Sequence, residues 1–186
     1  VTNIKVRDLK TGKLLDEVKL NYYRFVENED FKRLEKFLPC LIEDDKENLF
    51  IVEKVGREDA RTVRAPAKYY SLVEKAEKGA GTLTSYDIHE KIKKAMRKHS
   101  FMDYRAGEKG MRKYTQDVVN EFEKVMPKVF TRRQITTALW SERFDTGLDR
   151  EEYLLEIAEK KLLGKRRSSV VIAKRLLRLA EIVLES

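Results

Sequence analysis

The chain is poor in the residues that build covalent or metal-held frameworks. A single cysteine, Cys40, excludes a disulfide scaffold and any zinc site made of several thiolates. Two histidines, His89 and His99, stand ten residues apart, and with one cysteine they cannot build a Cys/His zinc site. Among 186 residues there are only three prolines and eight glycines, so long linkers and low-complexity tracts are not expected. No apolar run approaches the ~20 residues that a membrane-spanning helix needs. Val1–Leu20 mixes charged and apolar residues throughout, which predicts no signal peptide. Neither of the common glycine-rich phosphate loops occurs, nor does a Gly-x-Ser-x-Gly nucleophile turn. A soluble, cytoplasmic protein is expected, or one within a virion if the source is viral.

Amides are also scarce, with Gln116 and Gln134 the only glutamines, while charged residues make up 39% of the chain. Abundant Lys and Glu with few thermolabile amides is a habit of thermophilic proteins. A thermophilic source is therefore expected, with an archaeal host or an archaeal virus fitting, and the alternative is a helical mesophile protein rich in Lys and Glu.

The charge is unevenly placed. Residues 1–63 hold 13 basic and 14 acidic side chains, whereas residues 64–186 hold 27 basic and 18 acidic ones. Two stretches dominate. His89–Tyr114 has nine basic residues against three acidic ones, and Lys160–Arg178 has eight basic residues and no acid. Such a field concentrates polyanions and steers their approach. A solvated helix face that meets its acids elsewhere in the fold would look the same.

The patterning predicts an α+β protein, predominantly helical. Residues 1–65 read as a small α+β docking unit: a β-hairpin turning at Thr11-Gly12-Lys13, a helix capped by Asn28 and ended by Pro39, and a strand at Leu49–Val52. Residues 66–186 read as a basic helical domain of five to six helices. Gly79-Ala80-Gly81 is the best linker candidate, and Ser85 is expected to cap Tyr86–His99. A loop is expected around Gly107–Gly110, and Thr115 is expected to cap Gln116–Met126. Thr131 and Gln134 have the spacing of a capping box that opens a helix to Phe144. Asp149 and Glu152 suggest another box, for a helix that Gly164 stops, and Ser168 or Ser169 would cap a last helix.

The strongest functional pattern surrounds Pro127. Helix, short turn, helix has the proportions of a helix-turn-helix, whose second helix enters the major groove N-terminus first. Its first turns carry Arg132, Arg133, Gln134, Thr136 and Thr137, with Lys124 and Lys128 placed for phosphates. Arg suits guanine and Gln suits adenine through paired hydrogen bonds. Two helices packed in a bundle fit the same pattern. A second phosphate-binding candidate is Lys165, Arg166 and Arg167, supported by Lys174, Arg175 and Arg178. Phe101, Tyr104 and Tyr114 interleave with cations and could stack on bases, though anchoring a loop to the core suits them better.

These observations predict a non-enzymatic nucleic-acid-binding protein, regulatory or architectural and packaging, with DNA ahead of RNA and duplex favoured. A scaffold subunit of a larger nucleic-acid-processing assembly is the alternative. A metal-dependent nuclease built on Asp44, Asp45, Glu47 and Glu53 is the remote one. Residues 1–65 would meet any protein partner, and a homodimer is left open. No catalytic residue, metal or cofactor is expected, and no membrane partner.

Overall fold

The structure, a computed structural model, describes residues 2–20, 32–57 and 59–164. The fold is α+β, and the chain divides into two compact units, Val1–Thr82 and Leu83–Ser186.

The first unit is built on a five-stranded antiparallel sheet in the order β2-β1-β3-β4-β5. Its strands are β1 (Thr2–Arg7), β2 (Leu14–Leu20), β3 (Cys40–Glu43), β4 (Leu49–Lys54) and β5 (Ala60–Arg64). The β1–β2 turn is held by Asp8, whose Oδ1 accepts from the amides of Lys10 and Thr11 at 2.8 and 2.9 Å. Gly12 closes it at φ 73, and an ideal Cβ there would lie 3.0 Å from the Leu72 carbonyl oxygen, so the turn requires glycine twice over.

Because side chains alternate along a strand, the sheet has apolar residues on both faces. Ile4, Val6, Cys40, Ile42 and Val52 join Leu20 and Leu34 in one core cluster. Leu41 and Leu49 face the other way with Ala65, beneath Tyr69, Tyr70 and Val73 of helix α1 (Ala67–Lys78). That face also buries Arg7, which donates to Glu43 at 3.1 Å, to the Gly12 carbonyl at 2.9 Å and to Glu77 of α1 at 2.6 Å. The division after Thr82 follows from this packing: α1 belongs with the sheet, whereas its sequence position past residue 65 grouped it with the later helices.

Strand β3 is the element that the sequence pattern hid. Four residues between Pro39 and an acidic turn carry too short a run to register, yet all four are buried and β3 pairs with both β1 and β4. Glu43 therefore belongs to the sheet, and the turn begins at Asp44. Helical residues 32–34 continue into a 3-10 turn, Glu35–Phe37. The Asn28 cap lies outside the described residues.

The second unit packs four described α-helices, α2 (Ser85–Arg97), α3 (Glu108–Val125), α4 (Arg132–Trp140) and α5 (Gly147–Leu163). Their apolar stripes meet in one core that includes Ile88, Ile92, Val118, Phe122, Ile135, Leu139 and Leu154. Helix α2 is capped by Thr84, not Ser85, in a reciprocal box with Asp87. Ser85 instead donates to the buried Glu159 of α5 at 2.6 Å.

Helix α3 begins seven residues before Thr115, so Thr115 is no cap. It is buried mid-helix and donates its hydroxyl to the Met111 carbonyl at 2.7 Å. Helix α4 stops at Trp140, short of Phe144. Helix α5 starts with a Thr146–Asp149 box in place of Asp149–Glu152, because a threonine hydroxyl satisfies the orphan amide at Asp149 and the Asp149 carboxylate answers the Thr146 amide. Gly164 ends α5 in the left-handed conformation, φ 67.

Candidate nucleic-acid interface

The connection from α3 to α4 is short and firmly packed. Met126 and Val129 are buried, and Phe130 meets Phe122 edge to face at 5.3 Å. Thr131 then caps α4: its hydroxyl accepts from the Gln134 amide at 3.2 Å, and Gln134 Oε1 accepts from the Thr131 amide at 2.9 Å. Ile135, Ala138 and Leu139 turn into the core. Helical spacing therefore sends Arg132, Arg133, Thr136, Thr137 and Trp140 outward.

These outward residues and Ser141 line an open, shallow depression of about 630 Å³. No acidic side chain is among the described residues that line it. The first turn of α4 also contains no acid, so Arg132 and Arg133 stand unopposed at the positive end of the helix dipole. An anion there would offset that repulsion.

The five α4 residues are not equivalent. Arg132 donates to Gln116 Oε1 of α3, and Gln116 Nε2 donates on to Asn120 at 2.8 Å, so Arg132 is partly committed to joining the two helices. The Arg133 side chain is exposed, and its guanidinium makes no hydrogen bond or ion pair among the described residues. Gln134 is committed to the cap through its carbonyl oxygen, leaving its amide N–H groups. Thr136 and Thr137 donate back to the carbonyls of Arg132 and Arg133, each at 2.8 Å, so outwardly they can only accept. Lys124, in the last turn of α3, and Lys128, in the turn with φ 62, are both exposed. Lys165, Arg166, Arg167, Lys174, Arg175 and Arg178 lie outside the described residues, as does the last helix with its Ser168 or Ser169 cap.

Compared with known proteins, the chain matches no family model, no curated protein and no solved structure.

An aromatic cluster adjoins the depression. Phe101, Tyr104, Tyr114 and Trp140 meet edge to face with centroids 5.2 to 6.0 Å apart. The first three stand out in the sequence, and Trp140 joins them in the structure. Its spacing, four residues past Thr136 and eight past Arg132, was the signal that it shares their face.

Tyr104 also joins a polar chain. Its hydroxyl donates to Asp117 Oδ2 at 2.6 Å, so the 3.2 Å contact with His99 Nδ1 is made with that nitrogen as donor. Lys113 completes the chain at 3.1 Å from Asp117. The bond to Asp117 pushes the Tyr104 pKa up to about 12, and the same bond, helped by Lys113, holds the Asp117 carboxyl below its ordinary value. A phenol so held is a donor and a strut, poorly suited to act as a nucleophile.

Three other candidates for chemistry sit in structural contacts. His89 is buried on α2 with Nε2 3.4 Å from Glu151 of α5. Asp44 accepts from the amides of Lys46 and Asn48 within its own turn, and Glu53 pairs with Arg61 at 2.8 Å. Among the described residues no three His, Cys, Asp or Glu side chains converge as metal ligands.

Proposed function

We propose that this chain is a non-enzymatic nucleic-acid-binding protein, with DNA ahead of RNA, acting in regulation or in nucleic-acid packaging. The observation that carries this reading is the outward face of α4, where two arginines stand at a helix N-terminus in an open depression without an acid among its described lining. In this reading α3 and α4 act as a helix-turn-helix. Arg133 is the free reading or phosphate-binding cation, and Arg132 orients the second helix against the first. Lys124 and Lys128 neutralise flanking phosphates.

The test is duplex binding by the full chain over a series of salt concentrations. Affinity should fall steeply as salt rises, since each neutralised phosphate releases counterions. Binding that is absent at low salt would overturn the reading.

One observation favours a second reading, a scaffold subunit. The edge strand β2 leaves Leu14 and Leu15 46% and 49% exposed, and the other edge leaves Val63 exposed. Apolar side chains on a sheet edge that has no further strand among the described residues suit strand addition by a partner. In that case Leu14→Lys with Leu15→Lys would abolish assembly with the partner while leaving salt-dependent DNA retention unchanged. Among the described residues no helix is long and apolar enough to cross a membrane.

A further inference from the structure

Trp140 is fixed in place without being covered. Its indole Nε1–H donates to Thr115 Oγ1 at 3.0 Å, and Thr115 is buried in α3 with its own hydroxyl bound to the Met111 carbonyl. Phe101 and Tyr114 brace the ring edge to face, at 5.6 and 6.0 Å. Even so, Trp140 is 39% exposed, and Phe101 beside it is 45% exposed. The bond to Thr115 and the two aromatic neighbours hold the ring in one place, and its uncovered part is a rigid apolar surface open to solvent.

We propose that Trp140, flanked by Phe101, is a stacking shelf for an unpaired nucleobase, so that the nucleic acid held by α4 includes a single-stranded segment. This rests on the nucleic-acid reading and narrows its ligand. Trp140 lines the same depression as Arg132 and Arg133, so the aromatic surface and the cations face one ligand. Eight residues of helix separate Arg132 from Trp140, about 12 Å, which sets a phosphate at one end and a base a few nucleotides away at the other. An intact duplex shows this surface its backbone and keeps its base faces stacked inside. A single strand offers both phosphates and base faces, and aromatic stacking accepts any base. The cationic lining is what favours a polyanion over an apolar protein segment as the occupant.

Trp140 is the only tryptophan in the chain, so its emission reports on this position alone. The full chain would be titrated at low salt with oligothymidylate, a blunt duplex, and the same duplex carrying an oligothymidylate overhang. The two probes with unpaired thymines should quench Trp140, and the blunt duplex should not. By anisotropy of labelled probes, the overhang should tighten binding by roughly 5- to 150-fold, the range that one stacked base supplies. Trp140→Ala should remove that gain, so that overhang and blunt duplex bind with similar affinity, and Trp140→Phe should recover most of it. If Trp140→Ala fails to fold, quenching of the native chain and the affinity of Trp140→Phe decide the matter. Blunt-duplex binding that depends on Arg133, with neither quenching nor gain from the overhang, would overturn the shelf and leave the nucleic-acid reading standing. Equal losses on blunt and overhang probes in Trp140→Ala would make Trp140 a packing residue and also overturn it. Failure of every probe to bind would bring down both.

Discussion

The carbonyl oxygen of Arg105 occupies the space that a side chain on Gly110 would need: an ideal Cβ there would stand 1.6 Å from it. Gly110 lies inside helix α3, with no positive φ of its own, so its role is close approach and not backbone freedom. On helix propensity alone, alanine at this position would stabilise by about 1 kcal/mol. The contact reverses that sign. Gly110→Ala should destabilise the second unit by about 2 kcal/mol or more, as overpacking against backbone does. Denaturant unfolding followed by Trp140 emission measures it, and unchanged or increased stability would refute the close packing of the Arg105 loop on α3.

A buried cation gives the second prediction. Arg7 is 2% exposed and holds Glu43 as well as Glu77. Arg7→Ala leaves the Glu43 carboxylate buried without its partner, which should cost about 3–5 kcal/mol. Glu77→Ala should cost far less, because its side chain is 54% exposed and Arg7 keeps Glu43 and the Gly12 carbonyl. Equal losses in thermal melts of the two variants would place the weight on the α1 contact and overturn this ranking.

Much of the second unit was legible in its sequence because helix signals are local. The Thr131–Gln134 box and the Gly164 stop each need only a few adjacent residues, and the structure shows both. The misreadings come from residues whose roles depend on distant partners. Gly110 looked like a loop because its reason for being glycine, Arg105, is brought close only by the fold. Thr115 looked like a cap because its two partners, Met111 and Trp140, lie behind it in the helix and across the bundle. Strand β3 was hidden for the same reason, since its stability comes from β1 and β4 and not from its own four residues. At the candidate interface, residue types and their exposed face could be read from spacing. The commitments of Arg132 to Gln116 and of Gln134 to the cap could not be separated from ligand binding without coordinates.

Cys40 supplies a prediction about pH. It is fully buried in the sheet, and burial alone pushes its thiol pKa from the ordinary 9.0 up to about 12. Below pH 9 both folded and unfolded chains hold the proton, so Cys40 contributes no pH dependence there. Between about 9 and 12 the unfolded chain loses the proton while the folded chain keeps it, so stability falls as pH rises, by about 1.4 kcal/mol per pH unit. Other groups titrate in this window too, so the quantity to compare is the slope of unfolding free energy in the native chain and in Cys40→Ala. The variant should show the flatter slope. Parallel slopes would mean that the thiol ionises as readily in the folded chain as in the unfolded one.

The last prediction separates sequence reading from backbone binding at α4. The Arg133 guanidinium has no partner among the described residues, so its replacement by alanine should leave folding intact. If it meets a base edge, Arg133→Ala should lose on the order of 1–3 kcal/mol on a preferred site and much less on random duplex. If it meets only phosphate, the two losses should be nearly equal and the salt slope should flatten by about one unit. Gln134 needs a different substitution, because Gln134→Ala removes the bond to the Thr131 amide and costs about 1 kcal/mol of helix stability whether or not a ligand is present. Gln134→Glu keeps an acceptor for that amide and adds a negative charge that the helix N-terminus favours. The same charge stands beside Arg132 and Arg133, where a phosphate or base would approach. Retained or raised melting temperature together with lost DNA binding is the expected result. If stability and binding both survive Gln134→Glu, the first turn of α4 does not face the nucleic acid, and the contact lies on another part of the basic second unit.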